Sequence, residues 1–153
     1  MTGEATERDA FAARSVEALR KTDRVAGDLD IRLEEIGMGR CRVAMTVREE
    51  MANGYGICHG GYIFTLADTA MAYACNGRNR TTLAQHAQIS FISPGRVGEH
   101  LSATARELSA AGRNGLYDVE VRADDGRLVA AFRGATRAID AAIDPALGDP
   151  PQG

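Results

Sequence analysis

The sequence is poor in cysteine and histidine, which argues against two common kinds of small domain. Three cysteines, at positions 41, 58 and 75, cannot all pair within one chain, so we expect a reducing, cytoplasmic environment rather than a secreted disulfide scaffold. No CxxC motif is present, and the three histidines lie far apart at positions 59, 86 and 100. The sequence therefore predicts no metal site.

An excess of basic residues and a long apolar run are also missing. Lys and Arg total 18 against 21 for Asp and Glu, a net charge of −3, which argues against nucleic acid or an anionic membrane as a partner. No apolar run approaches the ~20 residues of a membrane-spanning helix. The N-terminus is acidic and polar, so we expect no signal peptide and no membrane association.

What remains is an ordinary globular composition, 44% hydrophobic and 25% charged in 153 residues. This length predicts a single domain, over residues 1–140. Three of the four prolines fall in residues 141–153, which we predict to be a disordered tail.

The most apolar segment predicts a buried central helix. Residues 62–75, YIFTLADTAMAYAC, are apolar around nearly the whole helical circumference, which is typical of a helix covered on all sides. Upstream, the spacing predicts an amphipathic helix over residues 7–26 and two short strands near residues 29–36 and 40–48.

Downstream of the central helix the pattern changes to the alternation of β-strands. Apolar residues alternate at 87–91, 101–105 and 117–121, and a last strand is predicted over 128–139. The short links between them predict an antiparallel meander of four strands. Because only this sheet can cover the central helix, we predict an α+β hotdog fold, a curved antiparallel sheet wrapped around one helix, with an additional N-terminal helix. A single sheet layer leaves edges uncovered, which favours dimerisation.

Asp68 is the most informative polar residue, since it lies among apolar neighbours in the central helix. Burying a carboxylate without partners costs several kcal/mol. Asp68 is therefore either held by a structural donor or kept for chemistry.

The glycine-rich start of the helix is the second candidate feature. The backbone N–H groups of Gly60 and Gly61 have no partners within the helix, and they can stabilise a carbonyl oxygen that gains negative charge. Asn53 can orient a carbonyl or a water, although an Asn-Gly pair is more often a turn. His59 is interpreted first as a capping residue and second as a binding residue. Thr69 can bind water or substrate, or bond back to its own helix.

These candidates lie within motifs that extend over most of residues 10–138. The motifs are NGYGICHGG (53–61), LADTA (66–70), AYACN (72–76), FISPG (91–95), GLYDVE (115–120) and AFRG (131–134). They closely resemble the hotdog-fold acyl-CoA thioesterases, and in particular the phenylacetic acid degradation (PaaI-type) branch. The branch's Asn, its glycine that donates a backbone N–H and its acidic residue match Asn53, Gly60 and Asp68.

The resemblance implies hydrolysis of an acyl-CoA, with an aryl-acetyl group as the expected acyl part and with no metal or further cofactor. Gly60 would polarise the thioester carbonyl, and Asp68 would activate a water or attack the carbonyl itself. Arg96 and Arg113 are candidates for contacts with the phosphates of coenzyme A, although either is more often a solvated loop residue.

The spacing of Gly60 and Asp68 points to a site shared between subunits. The two residues are ~12 Å apart along one helix at ~1.5 Å per residue, yet both must act on one carbonyl carbon. Two antiparallel helices at a twofold interface solve this problem. We therefore expect a homodimer with shared sites, assembled as a dimer of dimers (a homotetramer).

Two alternative functions remain open at this point. A hotdog dehydratase or hydratase combines a carboxylate with a well-placed histidine, and no histidine follows Asp68 until His86. A non-catalytic acyl-CoA-binding module would keep the glycine turn without needing Asp68.

Overall fold

The computed structural model describes residues 6–153, so the first five residues of the predicted domain lie outside the described range. The helices are α1 (Glu7–Arg20), α2 (Arg24–Asp28) and α3 (Gly60–Cys75), with a short 3-10 helix at Glu49–Met51. The strands are β1 (Arg32–Gly37), β2 (Arg40–Thr46), β3 (Arg80–Phe91), β4 (His100–Ala111), β5 (Asn114–Ala123) and β6 (Leu128–Ala142).

The six strands form one antiparallel sheet in the order β1-β2-β4-β5-β6-β3. All six contact the single helix α3, so the sheet curves around it. The predicted architecture, a central helix wrapped by an antiparallel sheet with an N-terminal helix, is confirmed.

Helix α3 is held in the sheet by close contacts along its length. Leu66, Met71 and Tyr73 are almost completely buried. Gly134 on β6 has no side chain, and the Met71 sulfur occupies the space that a Cβ there would need. At the end of the helix, the Asn76 side chain donates to the Ala72 carbonyl and accepts from the Thr82 amide, which joins α3 to β3. The buried helix therefore sets the position of the strands around it.

The predicted four-strand meander is wrong in one connection. β4, β5 and β6 are consecutive neighbours, but β3 pairs with β6 at the sheet edge and β4 pairs with β2. Residues 92–99, here called the crossing segment, carry the chain from the edge back to the middle of the sheet. Their amides and carbonyls bond to the strand β6 at Val129 and to Val47 after β2. A link of this length permits either a hairpin or a crossing, and the tertiary hydrogen bonds decide between them.

The predicted helix over residues 7–26 is two helices. α1 ends at Arg20, where the Thr22 hydroxyl donates to the Leu19 carbonyl. The Asp23 side chain then accepts from the Ala26 amide and starts α2. Asp23 also accepts a 2.7 Å hydrogen bond from the buried Tyr73 hydroxyl, which ties this break to α3. The apolar spacing continues through the break, so periodicity alone could not locate it.

β3 begins earlier than the apolar alternation in its sequence indicated. Residues 83–86 are exposed and show no alternation, so the pattern did not mark them as part of the strand. β6 continues to Ala142, past the predicted domain end. Beyond it, the buried Asn79 side chain bonds to Asp144 and Gly148. The predicted division at residue 140 and the predicted disorder of the tail stay predictions.

The N-terminal helix is fastened to the β1–β2 turn by Asp9. Its carboxylate accepts from the Met38 amide at 2.9 Å and from two Arg40 nitrogens at 3.1 and 2.8 Å. The hydrogen bonds and positive charge of Arg40, helped by the Met38 amide, lower the pKa of Asp9 from 3.8 to about 2. Asp9 is buried while Arg40 is half exposed, so the contribution to stability is modest.

We predict that Asp9→Asn lowers stability by about 1 kcal/mol at neutral pH, or about 3 °C in Tm. A carboxyl with a depressed pKa stabilises the fold above its unfolded value, and this contribution disappears as the pH falls through its folded value. The Tm difference between wild type and Asp9→Asn should therefore be full above pH 3.8 and shrink toward about pH 2. Thermal unfolding followed by circular dichroism across this range measures it.

The matched control is Glu17→Gln, which removes an exposed ion pair with Arg20 on the same helix. Its Tm should stay close to that of the wild type, since exposed pairs contribute little. A Tm difference for Asp9→Asn that stayed constant between pH 4 and pH 2 would contradict the linkage.

Candidate active site

The backbone amides in the first turn of α3 differ in their partners. His59 caps the helix: its Nδ1 accepts from the Gly61 amide at 3.0 Å, and its carbonyl accepts from the Tyr62 amide at 3.0 Å. Within residues 6–153, the Gly60 amide donates to no acceptor. The positive end of the helix dipole lies behind this amide, so it is suited to stabilise an oxyanion.

Gly60 opens onto a cavity of about 480 Å³ beside the helix start. The cavity is mostly apolar, with a few polar groups near Gly60, as is usual for sites that take small organic ligands. Its walls include Asn53, Ile57, Gly60, Ile63, Phe91 and Ile92.

Phe91 is one of several cavity residues that the sequence did not indicate as part of the site. Its ring lies against the Gly60 backbone, and a Cβ built on Gly60 would come within 2.8 Å of the ring. Only glycine therefore allows this approach. The one signal in the sequence is that Phe91 ends an alternating strand immediately before Ser93-Pro94-Gly95, but that pattern does not indicate where the chain turns next.

Asn53 both shapes its loop and lines the cavity. Its Oδ1 accepts from the Tyr55 amide at 2.9 Å and from the Ile57 amide at 3.4 Å, which is the turn-forming role. In the described part of the chain its Nδ2 donates to no acceptor, so one amide group remains for a ligand.

Asp68 lies two turns further along α3 and does not line the Gly60 cavity. It shares a partly exposed stripe with Gly61, Thr65 and Ala72, at helical spacing on the side of α3 that the sheet leaves uncovered. Partial burial raises the pKa of Asp68, and no side chain or amide among residues 6–153 donates a hydrogen bond to it. The carboxylate therefore has no structural partner within the described chain.

The remaining candidates lie in the middle of α3 and near its two ends. Thr69 is buried and donates to the Thr65 carbonyl at 2.7 Å, which is the helix back-bond. Arg96 lies near the cavity, pairs by its backbone with Ile57, and keeps an exposed side chain. Arg113 lies in the β4–β5 turn at the other end of α3, where it contacts Asp140. The structure thus brings Asn53, His59, Gly60, Gly61 and Arg96 together, and places Asp68 and Arg113 apart from them.

Over residues 6–153, no three His, Cys, Asp or Glu side chains form a group able to hold a metal ion. None of the helices in this range has both the length and the apolar character to cross a bilayer.

Burial raises the pKa of the Cys58 thiol beside the cavity to about 11, so it stays protonated at neutral pH.

Comparison with known proteins identifies the family. Residues 55–130 match the family model of the thioesterase superfamily. The chain is 38% identical over 132 residues to acyl-coenzyme A thioesterase PaaI of Escherichia coli, covering 86% of this chain and 94% of that protein. It is also 34% identical over 91 residues to human acyl-coenzyme A thioesterase 13, covering 58% of this chain and 64% of that protein.

Solved structures agree in fold. The E. coli PaaI protein of the phenylacetic acid degradation operon superposes with a TM-score of 0.86 at 36% identity, over 88% of this chain and 97% of that one. A mutant of the phenylacetic acid degradation protein PaaI of Thermus thermophilus superposes with a TM-score of 0.74 at 31% identity, over 76% of this chain and 100% of that one. The chain therefore belongs to the hotdog-fold thioesterase superfamily, and within it to the PaaI-type acyl-CoA thioesterases.

Proposed function

We propose that this thioesterase is a cytoplasmic homodimer that hydrolyses aryl-acetyl-CoA thioesters at two shared sites, with no metal or cofactor beyond the coenzyme A of the substrate. The observation that carries the proposal is the Gly60 amide, which donates to no acceptor within residues 6–153 and lies at the wall of a largely apolar cavity. A hydroxylated phenylacetyl group is the proposed acyl part, because the PaaI relatives are named for phenylacetic acid degradation.

In the proposed reaction, the Gly60 N–H binds the thioester oxygen as it becomes negative. The Nδ2 of Asn53 helps to orient the carbonyl or the water. Asp68 either takes a proton from water as the water oxygen attacks the carbonyl carbon, or attacks that carbon to form an anhydride that water then cleaves. In both routes the carbon–sulfur bond breaks, and coenzyme A leaves as a thiolate that takes up a proton.

The dimer is supported by β3, which is the longer of the two edge strands and, within residues 6–153, pairs only with β6. Leu83, Phe91 and Ile92 on and just after this strand are exposed apolar residues. An uncovered apolar edge is a surface at which another chain can pair. Since Phe91 also lies against Gly60, a subunit joined at β3 would border the cavity and could supply Asp68 to it. The pairing of dimers into a tetramer stays a prediction.

The roles of His59, Gly61, Thr69, Arg96 and Arg113 in substrate binding also stay predictions. Arg96 is the better placed of the two arginines for a coenzyme A phosphate within one subunit, because it lies beside the cavity with an exposed guanidinium.

Asp68→Asn keeps the shape of the side chain but removes its charge, so we predict that kcat falls by at least ~100-fold while KM changes little. The Tm should stay equal or rise, because the variant removes a partly buried carboxylate without a hydrogen-bond donor. In the wild type, kcat/KM should fall toward acid with an apparent pKa above 3.8, the ordinary value, since the ionised form is the active one. Thiol release from an aryl-acetyl-CoA measures turnover.

Asp118→Asn is the matched control for a lost carboxylate. It breaks an ion pair with Arg133 on the outer face of the sheet, away from α3, and should leave kcat unchanged. Near-normal turnover of Asp68→Asn would rule out the proposed chemistry, and a clearly lower Tm would indicate a structural role for Asp68.

A shared site predicts complementation between two inactive variants. Mixing Asp68→Ala chains with Asn53→Ala chains should restore activity, because each mixed dimer holds one site with both lesions and one with neither. With free exchange, about half of the dimers are mixed, so about a quarter of wild-type sites should return. Each variant exchanged with itself is the control. Mixed dimers verified by native mass spectrometry but no more active than the parents would contradict the shared site.

The apolar cavity predicts a preference for aryl substrates. We expect kcat/KM for hydroxyphenylacetyl-CoA to exceed that for lauroyl-CoA by about 10-fold, since the Phe91 ring offers an aromatic contact worth ~1 kcal/mol or more. Phe91→Leu keeps apolar bulk without the ring and should narrow this ratio. A wild-type preference for chains of about twelve carbons would reject the aryl-acetyl assignment, and would leave thioester hydrolysis in place.

A further inference from the structure

We propose that Arg127 and Glu99 are positioning residues for the Gly60 amide, and that they act through the crossing segment, residues 92–99. The inference rests on the proposed function, in which Gly60 binds the thioester oxygen. Neither side chain lines the Gly60 cavity, so any effect on catalysis must pass through the backbone.

Arg127, immediately before β6, holds the start of the crossing segment. One Nη of its guanidinium donates to the Pro94 carbonyl and approaches the Ser93 hydroxyl at 3.5 Å, and the other pairs with the Glu99 carboxylate. Both the Arg127 and Glu99 side chains are only 23% exposed. A charge-assisted fork of this kind is stronger than a neutral hydrogen bond and less screened than a surface pair.

Glu99 holds the other end of the same segment. Its second oxygen accepts from the Arg96 amide at 3.0 Å, and its own amide donates to the Arg96 carbonyl at 3.0 Å. Its carbonyl accepts from the Val47 amide at 2.9 Å, which anchors it to the end of β2. Arg127 and Glu99 therefore hold residues 93–96 between β6 and β2. This ion pair is here called the clamp.

Residues 93–96 support the turn that carries Gly60. The Gly95 carbonyl accepts from the Cys58 amide at 2.8 Å, and Arg96 forms a backbone bridge with Ile57. Gly95 is also in close contact with Cys58, since a Cβ at residue 95 would lie 3.4 Å from the Cys58 Cβ. Cys58 precedes Gly60 by two residues, so a shift of Gly95 moves the peptide that sets the direction of the Gly60 N–H.

Catalysis should be sensitive to such a shift, because an oxyanion donor works only when it points at the developing charge. Complete loss of one donor costs about 10²–10³ in kcat, so partial misalignment should cost about 10-fold. We expect the binding of coenzyme A to change less in the Arg127 variants, since Arg127 contacts the cavity walls at Ser93 and Pro94, and it is Glu99 that holds Arg96, the proposed phosphate contact.

The test compares Arg127→Gln, Arg127→Lys and Glu99→Gln with the wild type in thiol release from hydroxyphenylacetyl-CoA, well below the Tm of each variant. We expect kcat of Arg127→Gln to fall about 10-fold with KM within about threefold. Arg127→Lys should lie between it and the wild type, because an ammonium keeps the charge but cannot fork between Pro94 and Glu99. The double variant Arg127→Gln/Glu99→Gln should be little worse than Arg127→Gln alone, since both remove one clamp.

Hydrogen exchange gives a readout that does not depend on turnover. The Cys58 amide, bonded to the Gly95 carbonyl, should exchange at least about 5-fold faster in Arg127→Gln than in the wild type. Arg78→Gln is the matched control: Arg78 and Glu107 form a similarly shielded, two-pronged ion pair beyond the other end of α3. This control should lower Tm without changing kcat or the exchange of the Cys58 amide.

The outcomes distinguish a failure of the clamp's positioning role from a failure of the proposed thioesterase function. If the wild type hydrolyses the thioester but kcat of Arg127→Gln stays within about twofold of it, or falls no further than that of Arg78→Gln, the clamp has no positioning role. If the wild type hydrolyses no acyl-CoA, the proposed function fails. Unchanged exchange at Cys58 in Arg127→Gln overturns the clamp in either case.

Discussion

The burial of α3 is the constraint on which the rest of this structure depends. The helix has no fully polar face, so the chain must cover it, and all six strands of the sheet contact it. One sheet layer can surround a helix only in part, and the stripe through Thr65 and Asp68 stays accessible. The incomplete cover that leaves a carboxylate available for chemistry is therefore the same feature that favours a second subunit.

The start of α3 combines a capped first turn with a cavity wall. The first amides of a helix have no acceptors in the preceding turn, and His59 satisfies those of Gly61 and Tyr62. The Gly60 amide has no acceptor among the residues that the structure describes, and the chain that crosses back from β3 to β4 forms a wall beside it. In this region the segment that completes the sheet topology also builds the cavity, and Arg127 joins the two ends of that segment through Pro94 and Glu99.

The sequence was informative about two properties that belong to single segments. The apolar circumference of residues 62–75 predicted the central helix, and Gly60 and Asp68 could be singled out from glycine and charge in unusual places. It was uninformative where segments far apart had to meet. The exposed residues 83–86 of β3 show no alternation, and Phe91 gives no sign in sequence that its ring lies against Gly60.

The sequence by itself therefore determined the fold class, the buried helix and the identity of the polar groups within it, because hydrophobic periodicity and helix-end chemistry are local. Only the tertiary structure decided that β3 pairs with β6. It also decided that Arg96 lies near the helix start while Arg113 lies at its far end. These outcomes depend on hydrogen bonds and contacts between residues distant in the chain, and such pairings leave no periodic trace in the order of the amino acids.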